Sequence, residues 1–144
     1  MPVRINTAAR NASADAIAAL ANGGSGPGVL RVYTGSQPAT PATTPSGTLL
    51  AEFTFSDPAF AAAVTGSVAL DTTPALTDVG ITNGTAGWFR ILDSTEAAGT
   101  GLGIVDGSIT ATGGGGDLTM NTTTISTGVN VTLTAGTVTM PANP

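Results

Sequence analysis

The sequence predicts a mainly β chain: an antiparallel β-sandwich or jelly-roll-like barrel with one N-terminal α-helix. Three observations carry that reading. Short apolar stretches with strand-like alternation recur from Val29 to Met140. Turn signals built from Gly, Pro, Asn and Asp separate them at the roughly 8–12-residue spacing of all-β domains. Only one stretch, at 7–21, carries good helical spacing. At 144 residues the chain suits one domain, organised as an N-terminal arm and helix over 1–24 and a single β-sandwich domain over 25–144.

The helix over 7–21 has Asn6 or Thr7 as its cap. Ala9, Ser13, Ala16, Ile17 and Leu20 form its candidate packing face. Asn22 and Gly23 are expected to end it in the left-handed conformation. The face is small-sided, so it suits close packing on a sheet or on a neighbouring subunit. After GGSGPG, a strand is expected over Val29–Thr34, with Leu30, Val32 and Tyr33 as its bulk. The stretch Gln37–Gly47 contains Pro38, Pro41 and Pro45 and reads as a surface loop.

Leu49–Ser56 is the next strand, with Leu49, Phe53 and Phe55 on one parity and Glu52 and Thr54 on the other. Asp57-Pro58 breaks it. Ala59–Ala63 allows one helical turn. Val64–Asp71 reads as a strand with Val64 and Val68 inward, and Leu76–Thr82 as a weaker one. Asn83-Gly84 is a hairpin-turn signal. Ala86–Asp93 holds the most bulky strand, with Trp88, Phe89, Ile91 and Leu92 nearly in a row. Ile104–Ala111 fits either two short pieces across Asp106-Gly107 or one strand with a bulge. Gly113–Gly116 reads as a flexible hairpin connection between this region and Asp117–Ser126. In Val129–Met140 the apolar parity switches from Val129, Val131 and Leu133 to Val138 and Met140, which predicts a bulge or turn near Gly136.

Composition excludes much chemistry. The chain has no His and no Cys, and its four cations are all arginine: Arg4, Arg10, Arg31 and Arg90. That removes the commonest general base and metal ligand, any thiolate, and any Schiff-base or P-loop lysine. With a net charge of -5 and four scattered arginines, no nucleic-acid partner is expected. The opening MPVRIN has no apolar run of the signal-peptide kind. No stretch approaches the ~20 apolar residues of a membrane span, so no membrane partner is expected. Bulky apolar residues are few and charged residues are only 9%. A thin core under a weakly charged, Thr-rich surface suits a chain that lies against other chains.

Each candidate site has a plainer reading. GGGGD at 113–117 resembles half of a calcium-binding nonapeptide, but that motif works by stacking many copies and only one is present. Asp71, Asp78, Asp93, Glu96 and Asp106 could in principle supply a glycosidase pair, yet the aromatics that line sugar clefts are lacking, and the plainer reading is turn capping, with Asp57, Asp93 and Asp106 at expected strand ends. Asn11, Asn83, Asn121 and Asn130 begin glycosylation-type triplets that a Thr-rich chain produces by chance. Trp88-Phe89 beside Arg90 could be a binding ridge. The preferred reading puts Trp88 in the core and Phe89 on the opposite face, under the helix or another subunit. No catalytic, cofactor-binding or metal-binding residue is assigned, and no enzymatic activity is expected.

Several stretches carry a resemblance. RINTAARNASADAIAALANGGSGPGVLRVYTGSQPATP, then LLAEFTFSDPAF and GTAGWFRILDS, then DLTMNTTTIS and GVNVTLTAGTVTMP are similar, in order, to a family of small proteins encoded in tailed-phage and prophage structural modules. The loop at 94–103 and the Gly run at 113–116 depart from that pattern. The resemblance implies a virion protein, foremost a head decoration (cement) protein. Such a protein looks like a β-sandwich or jelly-roll subunit, often trimeric, on the outer face of the major capsid protein lattice. It would bind only the assembled shell and stabilise it by mass action, reaching neighbours through residues 2–21 and sheet edges. A tail or tail-tip component is the alternative, distinguished by copy number per particle. A carbohydrate-binding adhesion module is a third reading, with Tyr33, Trp88 and the 35–47 loop as its groove.

Overall fold

A computed structural model describes residues 3–141. Helix α1 (Thr7–Leu20) is followed by strands β1 (Val29–Tyr33), β2 (Leu49–Thr54), β3 (Ser67–Ala69), β4 (Thr77–Val79), β5 (Gly84–Thr85) and β6 (Trp88–Leu92). A short helix α2 (Ser94–Ala98) precedes β7 (Val105–Ala111), β8 (Leu118–Met120), β9 (Thr124–Ile125) and β10 (Asn130–Thr139). The main sheet has eight strands in the order β2-β1-β6-β7-β8-β10-β3, with β4 added to β10, and β5 and β9 form a separate pair. The sheet curls into a half-barrel, so the mainly β, barrel-like expectation is borne out. Two details differ from it: α2 is a second, short helix, and the sheet is mixed.

The mixed character comes from the glycine run. β7 and β8 pair in parallel, with Ile109 opposite Leu118 and Ala111 opposite Met120. Parallel neighbours ordinarily need a crossover of a dozen or more residues. Here β8 starts beside a residue only two short of the end of β7, so the chain needs to back up only a little. Gly113 (φ 86°) and Gly115 (φ 78°) supply backbone conformations that side-chain-bearing residues avoid. Residues 112–117 therefore form a tight return and not the expected hairpin connection. Asp117 closes it by accepting from the Ser108 backbone N–H at 3.0 Å and the Ser108 hydroxyl at 2.7 Å.

The concave side of the sheet holds the core: Leu30, Val32, Phe53, Phe89, Ile91, Ile109, Leu118 and Leu133 are buried together, with Phe55 and Phe60 beside them. The parity of Phe53 and Phe55 is as expected. Val68 is buried, but Val64 is 68% exposed, against expectation. The reason is local. Thr65 (φ 52°) and Gly66 (φ 84°) make a two-residue turn between Val64 and Ser67, so Val64 points out at the turn. Ala59–Ala63 forms no helical turn, since Phe60 bridges Leu70 in extended geometry. Asn83-Gly84 turns no hairpin either. Asn83 accepts from the Thr127 N–H at 2.8 Å, and Gly84 enters β5, where a Cβ would meet the Leu50 side chain at 2.8 Å. β7 runs unbroken, and the parity switch in β10 is a register shift between Leu133 and Ala135 against β8.

Helix α1 lies against β3 and β10. Asn6 caps it as expected, accepting from the Ala9 N–H at 2.8 Å. The buried residue is Ala14, with Arg10, Asn11, Ile17, Ala18 and Ala21 around it, so the packing face lies across the helix from Ala9, Ser13, Ala16 and Leu20. Polar residues choose that face. Arg10 donates to the Met140 carbonyl at 2.9 Å, Asn11 accepts from the Gly66 N–H at 2.6 Å, and Asp15 accepts from the Ala63 N–H at 2.7 Å. Gly23 is not left-handed. The last turn tightens instead, and Asn22 ends the helix by donating to the Ser56 carbonyl and accepting from the Gly28 N–H.

Candidate interaction surface

The convex face of β2-β1-β6-β7 carries polar residues in a register that brings four charges into one row. Arg31 stands opposite Glu52 on one side and Arg90 on the other, and Arg90 stands opposite Asp106. Two arginines directly across a strand pair repel each other. The flanking carboxylates offset that, so the row reads minus, plus, plus, minus. Arg90 makes a bidentate pair with Asp106, with both contacts at 2.7 Å. Its remaining donors reach the Thr43, Gly101 and Thr40 carbonyls at 2.7, 3.0 and 3.4 Å. Both side chains are buried, at 0% and 2% exposure. Arg31 bonds Glu52 at 2.6 Å and the Ala97 carbonyl at 2.8 Å.

These bonds roof the convex face. The 35–47 loop and the 99–103 loop are pinned to the sheet by one guanidinium, and α2 is pinned by another. The aromatics lie under the same roof. Trp88 stacks on Tyr33 with ring centroids 4.6 Å apart, donates to the Thr34 carbonyl at 3.2 Å, and has the Arg90 guanidinium 5.3 Å from its ring centroid. Burial pushes the Tyr33 phenol above its usual pKa, against the pull of Arg31. Trp88 is 1% and Tyr33 6% exposed, so neither presents a surface ridge. Phe89 lies on the opposite, concave face in the core of the same chain.

The other acids considered in the sequence are dispersed. Asp93 caps α2 through the Glu96 N–H at 2.8 Å, and Glu96 accepts from the Thr100 hydroxyl. Asp71 accepts from the Thr73 N–H, and Asp78 from the Val79 N–H. Among the described residues no group of three His, Cys, Asp or Glu side chains could hold a metal ion. Asn121, like Asn83 and Asn11, uses its side-chain oxygen on a backbone N–H, that of Thr132 at 3.0 Å.

What remains outward carries few charges, among them Arg4, Asp15, Asp57 and Asp78. On α1 the exposed face has Ala8, Ala9, Ala12, Ala16, Ala19 and Leu20 at its centre, the last 53% exposed, with exposed Ser13 and Asp15 at its two borders. A surface helix ordinarily carries its charged residues there. The sheet end around β4, β8 and β10 presents threonines that bond one another across strands: Thr77 to Thr132 at 2.8 Å, Thr119 to Thr134 at 2.8 Å, and Thr112 to Thr134 at 2.9 Å. Beside α1 lies an open groove of about 290 Å³ between Asp15, Ala18, Ala19 and Asn22 on the helix and the segment 57–62.

Sequence reasoning missed three of these features: the four-charge row, the roofing role of the 35–47 loop, and the groove. The row had a visible signal. Arg31 and Arg90 each sit at the centre of a strand otherwise built of apolar residues. Comparison with protein-family models, curated proteins and solved structures finds no match.

Proposed function

We propose that this chain is a structural, non-enzymatic protein of a tailed-phage virion, a decoration subunit on the outer head surface that binds and stabilises the assembled capsid lattice. The observation that carries the proposal is the outward face of α1, whose central strip is alanine and leucine, with Ser13 at one border and Asp15 at the other. That central strip gains from being covered, because burying it removes apolar surface from water at about 25 cal/mol per Å², while the Asp15 carboxylate can stay at the wet border. Alanine also leaves little side-chain entropy to lose on docking. The threonine face at β8 and β10 adds hydroxyls that can donate or accept, again without a charge to desolvate.

The mechanism is linkage. A subunit that binds the assembled lattice and not its free components shifts the equilibrium toward the assembled state. Copies joined as a homotrimer would multiply weak contacts through effective concentration. The sequence resemblance to phage structural modules supplies the context, and the helix face supplies the contact.

The test removes the protein from filled heads, by stripping or by deleting its gene, and measures their survival on heating and at low ionic strength. The proposal expects earlier rupture, restored by adding back the purified chain. Heads that survive equally well with and without it would refute the proposal.

A further inference from the structure

The curled sheet has two strands that nearly meet. β2 is one end of the strand order, β4 hangs on β10 at the other, and Cα atoms of β2 and β4 come within 8 Å of each other. No ladder joins them. A third strand between them would need about 9.5 Å, two strand spacings, so the gap admits none. On β2 the Phe55 N–H donates to the Gly28 carbonyl at 3.0 Å. With Phe53 opposite Leu30, the backbone groups of Ala51, Phe53 and Phe55 therefore face β1, and those of Glu52 and Thr54 face away. On β4 the Leu76 carbonyl accepts from the Leu133 N–H, and the Gly80 N–H donates to the Val129 carbonyl. Thr77 and Val79 therefore turn their backbone groups away from β10. Among the described residues, the outward backbone groups of Glu52, Thr54 and Thr77 have no partner.

One bond already crosses the gap: the Ile81 N–H donates to the Leu50 carbonyl at 2.8 Å. Continued from that bond in antiparallel register, Val79 falls opposite Glu52, Asp78 opposite Phe53, and Thr77 opposite Thr54. The parities agree at each step. Outward backbone groups meet outward backbone groups, and Asp78, which shares the face of its β10 neighbour Val131, meets the core-facing Phe53. Two more rungs would join the ends of the sheet and close it into a barrel.

Asp78 opposes that closure in two ways. Its carboxylate accepts the Val79 N–H at 2.7 Å, which takes a donor that the rung to Glu52 needs. Closure would also press the carboxylate against Phe53, which is 1% exposed, and Asp78 has no ion-pair partner among the described residues. Inward-pointing charges guard strand edges in just this manner. The space left beside it is a groove of about 280 Å³ lined by Phe53, Phe55, Leu76, Thr77 and Asp78. We propose that β2 and β4 form a latch, closed by the rungs Val79–Glu52 and Thr77–Thr54 and held open by the Asp78 carboxylate. The latch is a property of the chain alone and does not rest on the virion reading.

The experiment is nuclear magnetic resonance on the purified full chain as wild type, Asp78→Val and Asp78→Asn. Two readouts report the seam: amide hydrogen exchange at Glu52 and Thr54, and a nuclear Overhauser contact between the α-protons of positions 53 and 78. In the wild type those amides should exchange as an open edge, and the α-proton contact should be absent. Asp78→Val removes the charge and releases the Val79 N–H. It should slow exchange at Glu52 and Thr54 about tenfold or more, as new ladder bonds do, and the α-proton contact should appear. Protection on β2 is the diagnostic, because a better strand former at position 78 would by itself firm up only β4 on β10. Asp78→Asn removes the charge but keeps an acceptor for the Val79 N–H, so it should fall between the two. If Asp78→Val does not fold, Asp78→Asn decides by the same readouts. A wild type that already shows the α-proton contact would overturn the proposal. So would folded variants whose Glu52 and Thr54 amides exchange at the wild-type rate.

Discussion

The two flanks of the sheet handle charge in opposite ways. On the convex face of β2-β1-β6-β7, charges are taken inward: Glu52, Arg31, Arg90 and Asp106 line up across four strands under a roof of loops. On the α1 flank the helix buries polar groups against the sheet and turns alanines outward. The first flank is an internal clamp whose guanidinium groups bond carboxylates and loop carbonyls of the same chain. The second is anchored by its polar side and left bare on its apolar side. A chain with few charges thus uses several of them to hold itself together and leaves a sparsely charged surface.

Breaking the clamp should have the largest effect. Arg90→Ala strands the Asp106 carboxylate in the interior and frees the Thr40, Thr43 and Gly101 carbonyls. A loss of about 3–5 kcal/mol is expected in urea unfolding, the scale for removing one partner of a buried ion pair. Protease cleavage should appear in the 36–47 loop.

The α1 flank separates its two faces by volume. Ala14 is 0% exposed, so Ala14→Leu overpacks the helix–sheet contact and should cost about 1–3 kcal/mol. Ala12→Leu on the outward face should stay within about 0.5 kcal/mol of wild type. Equal losses at the two positions would erase the distinction between the faces.

Within the clamp, the Arg31–Glu52 pair should matter less than Arg90–Asp106, because its side chains are 18% and 36% exposed. Arg31→Ala is expected to cost about 1 kcal/mol or less through the ion pair. The α2 backbone amides should exchange faster with solvent, because the Ala97 carbonyl loses the Arg31 bond that holds the helix to the sheet. The smallest effect is alkaline. Burial raises the Tyr33 pKa, so its neutral form stabilises the fold below the unfolded value near 10, and that stability drains away as pH climbs through the higher folded value. Tyr33→Phe should flatten the alkaline limb of the stability–pH curve.

Much of the fold was legible in the sequence. Strands from Val29, Leu49, Trp88 and Asn130 lie within a residue or two of their expected bounds because alternation and turn residues act locally. The shift in β10 was legible because apolar parity changed on either side of Gly136. The packing face of α1 was not, because apolar periodicity ignores polar side chains that seek backbone partners: Arg10 and Asn11 decide it by bonds to Met140 and Gly66, residues distant in sequence. The parallel β7–β8 pair escaped for a similar reason, since a glycine run permits many returns and only the neighbours select one. The charge row required strand register, which no local pattern encodes.

The outward helix face is the central claim, and one binding measurement addresses it directly. Purified Ala12→Glu/Ala16→Glu protein should unfold within about 0.5 kcal/mol of wild type, since both positions are exposed. It should fail to bind heads stripped of the native subunit at concentrations where the wild type saturates them. Saturation of those heads by the double-glutamate variant at the wild-type concentration would contradict the claim.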